Sequence, residues 1–168
     1  MSTGHVEYAS LNGTHIFKLI GEVRAQSCIS LDKLLNKIEQ QDNVVGAIVD
    51  LTATSFIDST VLGVLAKLGL KLKQVHNIQA VMLSTNSDIT TLANSMGLSQ
   101  VFVILNYCGD PNVCTRALME EHVTHQNMLN TVLDAHKTLM KLNQSNQNMF
   151  EPLVKQLQKE QDNLDKIS

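Results

Sequence analysis

Asp58, Ser59 and Thr60 stand in consecutive positions between a β-branched apolar run and a helical pattern, and that placement gives them a definite chemistry. An aspartate just ahead of a helix is a natural N-cap. Its carboxylate accepts hydrogen bonds from first-turn N–H groups that have no partner inside the helix. Ser59 then takes the first helical position, beside unpaired donors and the positive end of the helix dipole. A phosphate on its hydroxyl would gain about 0.3–1 kcal/mol from that field, and more with direct N–H bonds. The same phosphate would add roughly two negative charges that a docked partner must desolvate or repel, which is a physical basis for a binding switch. A plain helix cap has the same local sequence, so both readings stand at this level.

Other reactive residues form less complete sets. His122, His125 and His136 share one face of a helical pattern, and an i, i+3 pair can approach one metal ion. No third and fourth ligand stands near them, so a polar-flanked helix seam is the expectation and no metal is assigned. Ser59 with a remote histidine would be half of a hydrolase site. However, the G-x-S-x-G elbow and an oxyanion loop are missing around it. The chain is therefore expected not to be an enzyme. It has no G-x-x-x-x-G-K loop, and no cofactor is expected. Cys28, Cys108 and Cys114 are an odd set without a CxxC, which suits reduced cysteines of a cytoplasmic protein.

The elements that must position Asp58-Ser59-Thr60 follow from periodicity. Residues 6–11 and 14–20 are predicted strands, joined by Asn12-Gly13, a hairpin signal because both residues tolerate positive φ. Residues 21–25 are expected to be a connection. Residues 27–40 carry Ile29, Leu31, Leu34, Leu35 and Ile38 largely on one helix face. Residues 44–51 form a continuous apolar run, predicted to be a central strand buried on both faces. A loop over 52–58 then leads to a helix over about 59–75. Residues 78–83 and 101–105 are predicted strands. A short helix over 88–96, capped by Ser87 or Asp88 and stopped at Gly97, lies between them. The order is ββαβαβαβ, a mixed and largely parallel sheet covered by helices.

The division falls near residue 108, with a domain over 1–108 and a C-terminal helical extension over 109–168. Asp110-Pro111 is a plausible helix start. The first tail helix is predicted over about 111–143. Its seam is Leu118, His122, His125, Leu129, Val132, His136 and Leu139. The polar stretch 143–148 is expected to break it, and a second helix follows over about 151–167 with Pro152 in its first turn. Met119, Met128, Met140 and Met149 mark a stripe. It fits a partner ligand, a homodimer seam, or helices packed back on their own domain.

With 168 residues and 43% apolar composition, one real core is attainable; with aromatics at 4% and no Trp, it must be aliphatic. A net charge of −3 without Lys/Arg clusters argues against nucleic acid as a partner. No stretch approaches the ~20 apolar residues of a membrane span, so no membrane insertion is expected.

The element order, the Val-rich strand ending in Asp50-Leu51, and Phe56-Ile57-Asp58-Ser59-Thr60 running into Leu62-Gly63-Val64-Leu65 together resemble the STAS family over roughly residues 5–106. That family includes anti-sigma factor antagonists and cytoplasmic domains of sulfate transporters. The resemblance to the antagonist branch implies that Ser59 is the phosphoacceptor. It also implies an anti-sigma factor that is itself a serine kinase as one partner, and a metal-dependent serine phosphatase as another. The unphosphorylated form would capture the anti-sigma factor and so control sigma-factor-dependent transcription in a bacterial cytoplasm. On that reading Thr60, Val61 and Leu62 form the docking rim. Two departures stand out: Val61 replaces the glycine usual two residues after the acceptor, and Arg24 replaces an acidic loop residue. Arg24 is accordingly a candidate contact for a phosphate on Ser59, or a solvated loop residue. The rival implication is a non-switching scaffold or transporter-associated STAS subunit that uses its tail for assembly.

Overall fold

A computed structural model describes residues 3–109, 112–120 and 122–168. The first hairpin is β1 (His5–Leu11) and β2 (Thr14–Val23), turned at Asn12 and Gly13 with φ of 50° and 83°. Two consecutive positive φ values give a turn whose twist matches that of the strands. There follow α1 (Cys28–Glu39), β3 (Gly46–Ile57), α2 (Ser59–His76), β4 (Ala80–Leu83), α3 (Ser87–Ser95) and β5 (Phe102–Leu105). The predicted order ββαβαβαβ is thus the observed one. A two-residue strand, β6 (Arg116–Ala117), completes a sheet of order β5-β4-β3-β2-β1-β6. β1 pairs antiparallel with β2 and β6, and the other neighbours are parallel.

β2 and β3 both run further than their composition suggested. Residues 21–23 continue β2, and residues 52–57, expected as loop, continue β3; the two strands stay paired out to Val23 and Ile57. Thr52, Thr54 and Ser55 look like loop residues by polarity, but threonine is a good strand former. Thr54 is buried and donates its hydroxyl to the Leu19 carbonyl (2.8 Å), within a stretch where the register shifts. A second correction concerns burial. β3 is not covered on both faces: Ala47, Val49 and Leu51 are buried, while Ile48 and Thr52 are only partly covered. β2 alternates in the same way, with His15, Phe17, Leu19 and Val23 inward. The inward faces form one aliphatic core with Leu31, Leu35 and Ile38 of α1 and Leu62, Leu65, Leu68 and Leu72 of α2. On the other face, Ile16, Lys18, Ile48, Asp50 and Thr52 line a cleft of about 370 Å³ closed by Tyr107, Val113 and Thr115.

The tail departs most from expectation. Its first helix, α4, spans His125–Met140. The helix start proposed at Asp110-Pro111 lies outside the described residues. Leu118 and His122 lie outside α4, and β6 occupies part of the stretch read as helix. That strand is held on the sheet edge by the Leu118 N–H donating to the Val6 carbonyl (2.8 Å) and by a short hydrogen bond from the Thr115 hydroxyl to Glu7. α5 spans Gln144–Ile167. The polar run at 143–148, expected to break a helix, starts this one, α4 having already ended at Met140. The Asn143 side chain accepts from the Asn146 N–H (2.7 Å), so Asn143 is the cap. Pro152 consequently sits inside α5, beyond its first turn. Similarly, Asn86 caps α3, one residue ahead of the expected Ser87 or Asp88. None of the described helices is long and apolar enough to cross a membrane.

His15 is buried in this sheet, with Nδ1 2.7 Å from the Tyr8 hydroxyl and Nε2 without a partner. Burial, aided by the nearby His76, pushes its pKa below the ordinary histidine value. The unfolded chain takes this proton near 6.5, the folded chain only at lower pH, so the contribution to stability is complete above about 6.5 and declines as the pH falls through it. Urea midpoints should therefore drop between pH 7.5 and 5, and His15→Phe should flatten that dependence. An unchanged slope in the variant would show that His15 does not carry it.

Candidate functional site

The site is built where β3 hands the chain to α2. Asp58 adopts extended backbone angles (φ −93°, ψ 169°) and caps the helix: Oδ1 accepts from the Val61 N–H at 2.9 Å. Its other oxygen, Oδ2, accepts from the Ala25 N–H, also at 2.9 Å. One carboxylate thus fixes both the start of α2 and the loop after β2. The first helical bond runs from the Leu62 N–H to the Asp58 carbonyl (3.1 Å). Ser59 is the first helical residue and is partly exposed.

The hydroxyl of Ser59 lies 2.9 Å from Nε2 of His136, a residue of α4 that is 77 positions away. The other ring nitrogen, Nδ1, lies 2.7 Å from the Val132 carbonyl. A carbonyl only accepts, so the neutral ring carries its proton on Nδ1, and Nε2 is left to accept from the Ser59 hydroxyl. His136 is only 3% exposed, and the Phe150 ring of α5 meets it edge-on, with centroids 4.9 Å apart. This puts a buried imidazole against the switch candidate, a pairing that the sequence did not indicate. The helical seam correctly grouped His136 with apolar neighbours, but nothing in the local sequence names its partner.

α4 continues along α2. Gly63 packs so closely on Ala135 that a Cβ there would overlap the Ala135 carbonyl. One turn on, the Lys67 ammonium bridges Asp32 of α1 (2.9 Å) and Asp134 of α4 (3.0 Å). Burial alone would lower the lysine pKa, but the two carboxylates outweigh it and hold the group above its ordinary value. Ser59, Gly63 and Lys67 are spaced four apart on α2, so they form one stripe, and that stripe is what α4 covers.

The expected docking rim takes a different place. Thr60, Val61 and Leu62 are buried, Val61 and Leu62 completely. Their side chains turn into the molecule, so the accessible part of this junction is Asp58 and Ser59. Val61, at the position where the family usually has glycine, fills core volume in place of forming a surface. Arg24 is also redirected. Its loop is tied to Asp58 through Ala25, but its guanidinium pairs with Glu22 (3.2 Å) and stacks 4.3 Å over the Phe56 ring. A histidine, and not this arginine, is what the structure sets against Ser59. The remaining tail histidine with a resolved partner, His125, pairs with Glu160 of α5 (2.8 Å), away from His136's contact. Among the described residues no three metal-ligating side chains converge. The three cysteines are free; Cys28 is buried, and its thiol pKa lies well above the ordinary value, through desolvation and then the charges of Asp58 and Asp32.

The STAS domain model matches residues 5–110, which takes in the whole β1–β5 unit and the Asp58–Ser59 junction. The chain belongs to the STAS domain family. Among solved structures it is similar to the anti-sigma factor antagonist SpoIIAA in its unphosphorylated form, at 17% identity and a TM-score of 0.53. That similarity covers 60% of this chain and 88% of SpoIIAA, and at such identity it is a likeness of fold. A comparison with curated proteins gives no match. The STAS domain here therefore carries an addition: α4 and α5 lie beyond the family match, α4 packing along α2 and α5 packing on α4.

Two substitutions probe this geometry. Asp58→Ala removes both carboxylate bonds and should cost about 1–2 kcal/mol in urea unfolding, with Asp58→Asn losing less because it keeps a cap acceptor. Gly63→Ala should cost about 1–3 kcal/mol, since the backbone of α4 must move to admit one methyl group. A Gly63→Ala protein as stable as the parent would mean that α4 is not held against α2 at this point.

Proposed function

We propose that this chain is a phosphorylation-switched anti-sigma factor antagonist, acting by binding and without catalysis. The observation that carries the reading is the position of Ser59. It is a partly exposed hydroxyl at the first position of a helix capped by Asp58, in a chain of the STAS family. A phosphate there is favoured by the helix N-terminus and changes the local charge by roughly two units. The fold likeness to an anti-sigma factor antagonist supports the same reading. On this proposal the unphosphorylated chain binds an anti-sigma factor with serine kinase activity, a serine phosphatase restores it, and the outcome is control of sigma-factor-dependent transcription in a bacterial cytoplasm. The Ser59–His136 pair serves to hold helices together.

A second reading has its own support. Because Thr60, Val61 and Leu62 are buried and the tail covers α2, the chain also suits a non-switching STAS scaffold or transporter-associated subunit that assembles through α4 and α5. Full-length Ser59→Ala and Ser59→Asp baits separate the two. The switch requires that Ser59→Ala retain an ATP-binding serine kinase partner, identified by mass spectrometry, and that Ser59→Asp bind it at least about tenfold more weakly. Equal capture by both baits would favour the scaffold.

A further inference from the structure

The polar contacts between the tail and the STAS domain are unevenly placed. At the turn between α4 and α5, the buried Asn146 donates to the carbonyls of Met96 and Leu139, both at 2.8 Å. Gln100 donates to the Leu142 carbonyl (2.6 Å). That end is pinned to the segment following α3. At the other end, the chain entering α4 carries exposed side chains at Met119 (87%), Glu120, His122 and Thr124, and it is tied to the domain by the Ser30 hydroxyl of α1 donating to the Met119 carbonyl (2.8 Å). Between these ends α4 lies on the stripe Ser59, Gly63 and Lys67. It holds there by Ala135 and Leu139, which join the core cluster, and by three further contacts: one hydrogen bond to a buried imidazole, one close backbone contact, and one ion pair whose Asp134 side chain is half exposed.

The switch hydroxyl therefore points at a buried ring. Attack on a phosphoryl donor needs the hydroxyl oxygen free, with the donor about 3–3.5 Å away and in line. In the closed arrangement the hydroxyl donates a hydrogen bond to Nε2 of His136, which holds its rotamer toward α4. A phosphate in the same rotamer would replace the donor by a dianion in the space between α2 and a helix already at backbone contact with Gly63.

We propose that α4 and α5 form an internal cover over the switch serine, latched by the Ser59–His136 hydrogen bond, which must lift off the Ser59–Gly63 stripe before Ser59 is modified or its surroundings are docked. This proposal concerns regulation of the site and rests on Ser59 being the switch. Closure lowers the apparent affinity for any partner by the fraction of molecules that are open, since only those present the covered stripe. Phosphoserine at this position holds the cover off. The charged junction that is then exposed still repels a partner, so lifting the cover and rejecting the partner occur together.

Amide hydrogen exchange on the full chain tests the cover without a kinase. Four chains are compared: the parent, Ser59→Ala, His136→Ala, and a chain with phosphoserine installed at position 59 during synthesis. The amides of α4 should exchange about two- to tenfold faster in Ser59→Ala, the effect of one lost hydrogen bond. They should exchange at least about tenfold faster with phosphoserine, and in each case the β3 amides should be unchanged. If His136→Ala also loses protection in β3, it has unfolded globally; Ser59→Ala, which removes a single partly exposed hydroxyl, then decides. Exchange of α4 that is the same in the parent, Ser59→Ala and phosphoserine chains overturns the cover, as does slower exchange with phosphoserine, which would mean a latch tightened by phosphate. The bait experiment fails separately. Switched capture with unchanged α4 exchange removes the cover and keeps the switch; faster α4 exchange with unswitched capture does the reverse.

Discussion

One carboxylate organises this site. Asp58 places its two oxygens on backbone donors from different parts of the chain, Val61 in the first turn of α2 and Ala25 in the loop after β2. A helix start leaves several N–H groups without partners, and an aspartate at the cap supplies one of them locally. Here the second oxygen does more, because it fastens a remote loop to the same point. The position and direction of Ser59 follow from this: the serine is the next residue, its backbone is already helical, and its hydroxyl has a small choice of directions. One of those directions faces α4. The direction of the Ser59 hydroxyl depends on that junction being stiff.

The tail is held by a different kind of contact. Its specific contacts with the domain are a serine–histidine bond, a glycine-to-alanine backbone contact and a partly exposed ion pair, with amide side chains at its turn. Net contributions of single hydrogen bonds are about 0.5–1.5 kcal/mol, and ion pairs with solvent access contribute less. Apolar packing is also present, since Ala135, Leu139, Leu142 and Phe150 belong to the core cluster. The helix pair is thus held by polar contacts at its turn and by mixed polar and apolar contacts along α2. The imidazole of His136, with the Val132 carbonyl on Nδ1, takes the Ser59 hydroxyl as its donor at Nε2.

Periodicity made the STAS unit legible from residue 5 to about 105. Asn12-Gly13 marked the hairpin, the spacing of Ile29, Leu31, Leu35 and Ile38 marked α1, and the Val-rich run marked β3. Where the reading stopped short, the cause was polar strand residues. Thr52, Thr54 and Ser55 carry no apolar alternation, and their strand conformation comes from pairing with β2, which a local window does not contain. In the tail, a run of seven spaced residues suggested one long helix from 111. The part before His125 instead adds a short strand to the edge at β1 and crosses to the tail, because the open edge offers backbone partners that outweigh a weak helical preference. The polarity of 143–148 suggests a break, but α4 already ends at Met140, and this stretch is the cap and first turns of α5.

What the sequence by itself determined is the set of local devices: the turn at Asn12-Gly13, the cap at Asp58, the serine following it, and the amphipathic faces of α1 and α2. These depend on neighbours within about four positions, and backbone chemistry fixes them whatever surrounds them. Tertiary structure alone decided which surfaces remain open. Val61 and Leu62 turn inward because the first turn of α2 continues the core, and His136 reaches Ser59 because α4 folds back over 77 positions of chain. A contact of that span leaves no periodic trace in the sequence. It depends on where two separately formed helices come to rest, and that is set by packing volume at Gly63 and Ala135 and by the demand of a buried imidazole for a hydrogen-bond donor.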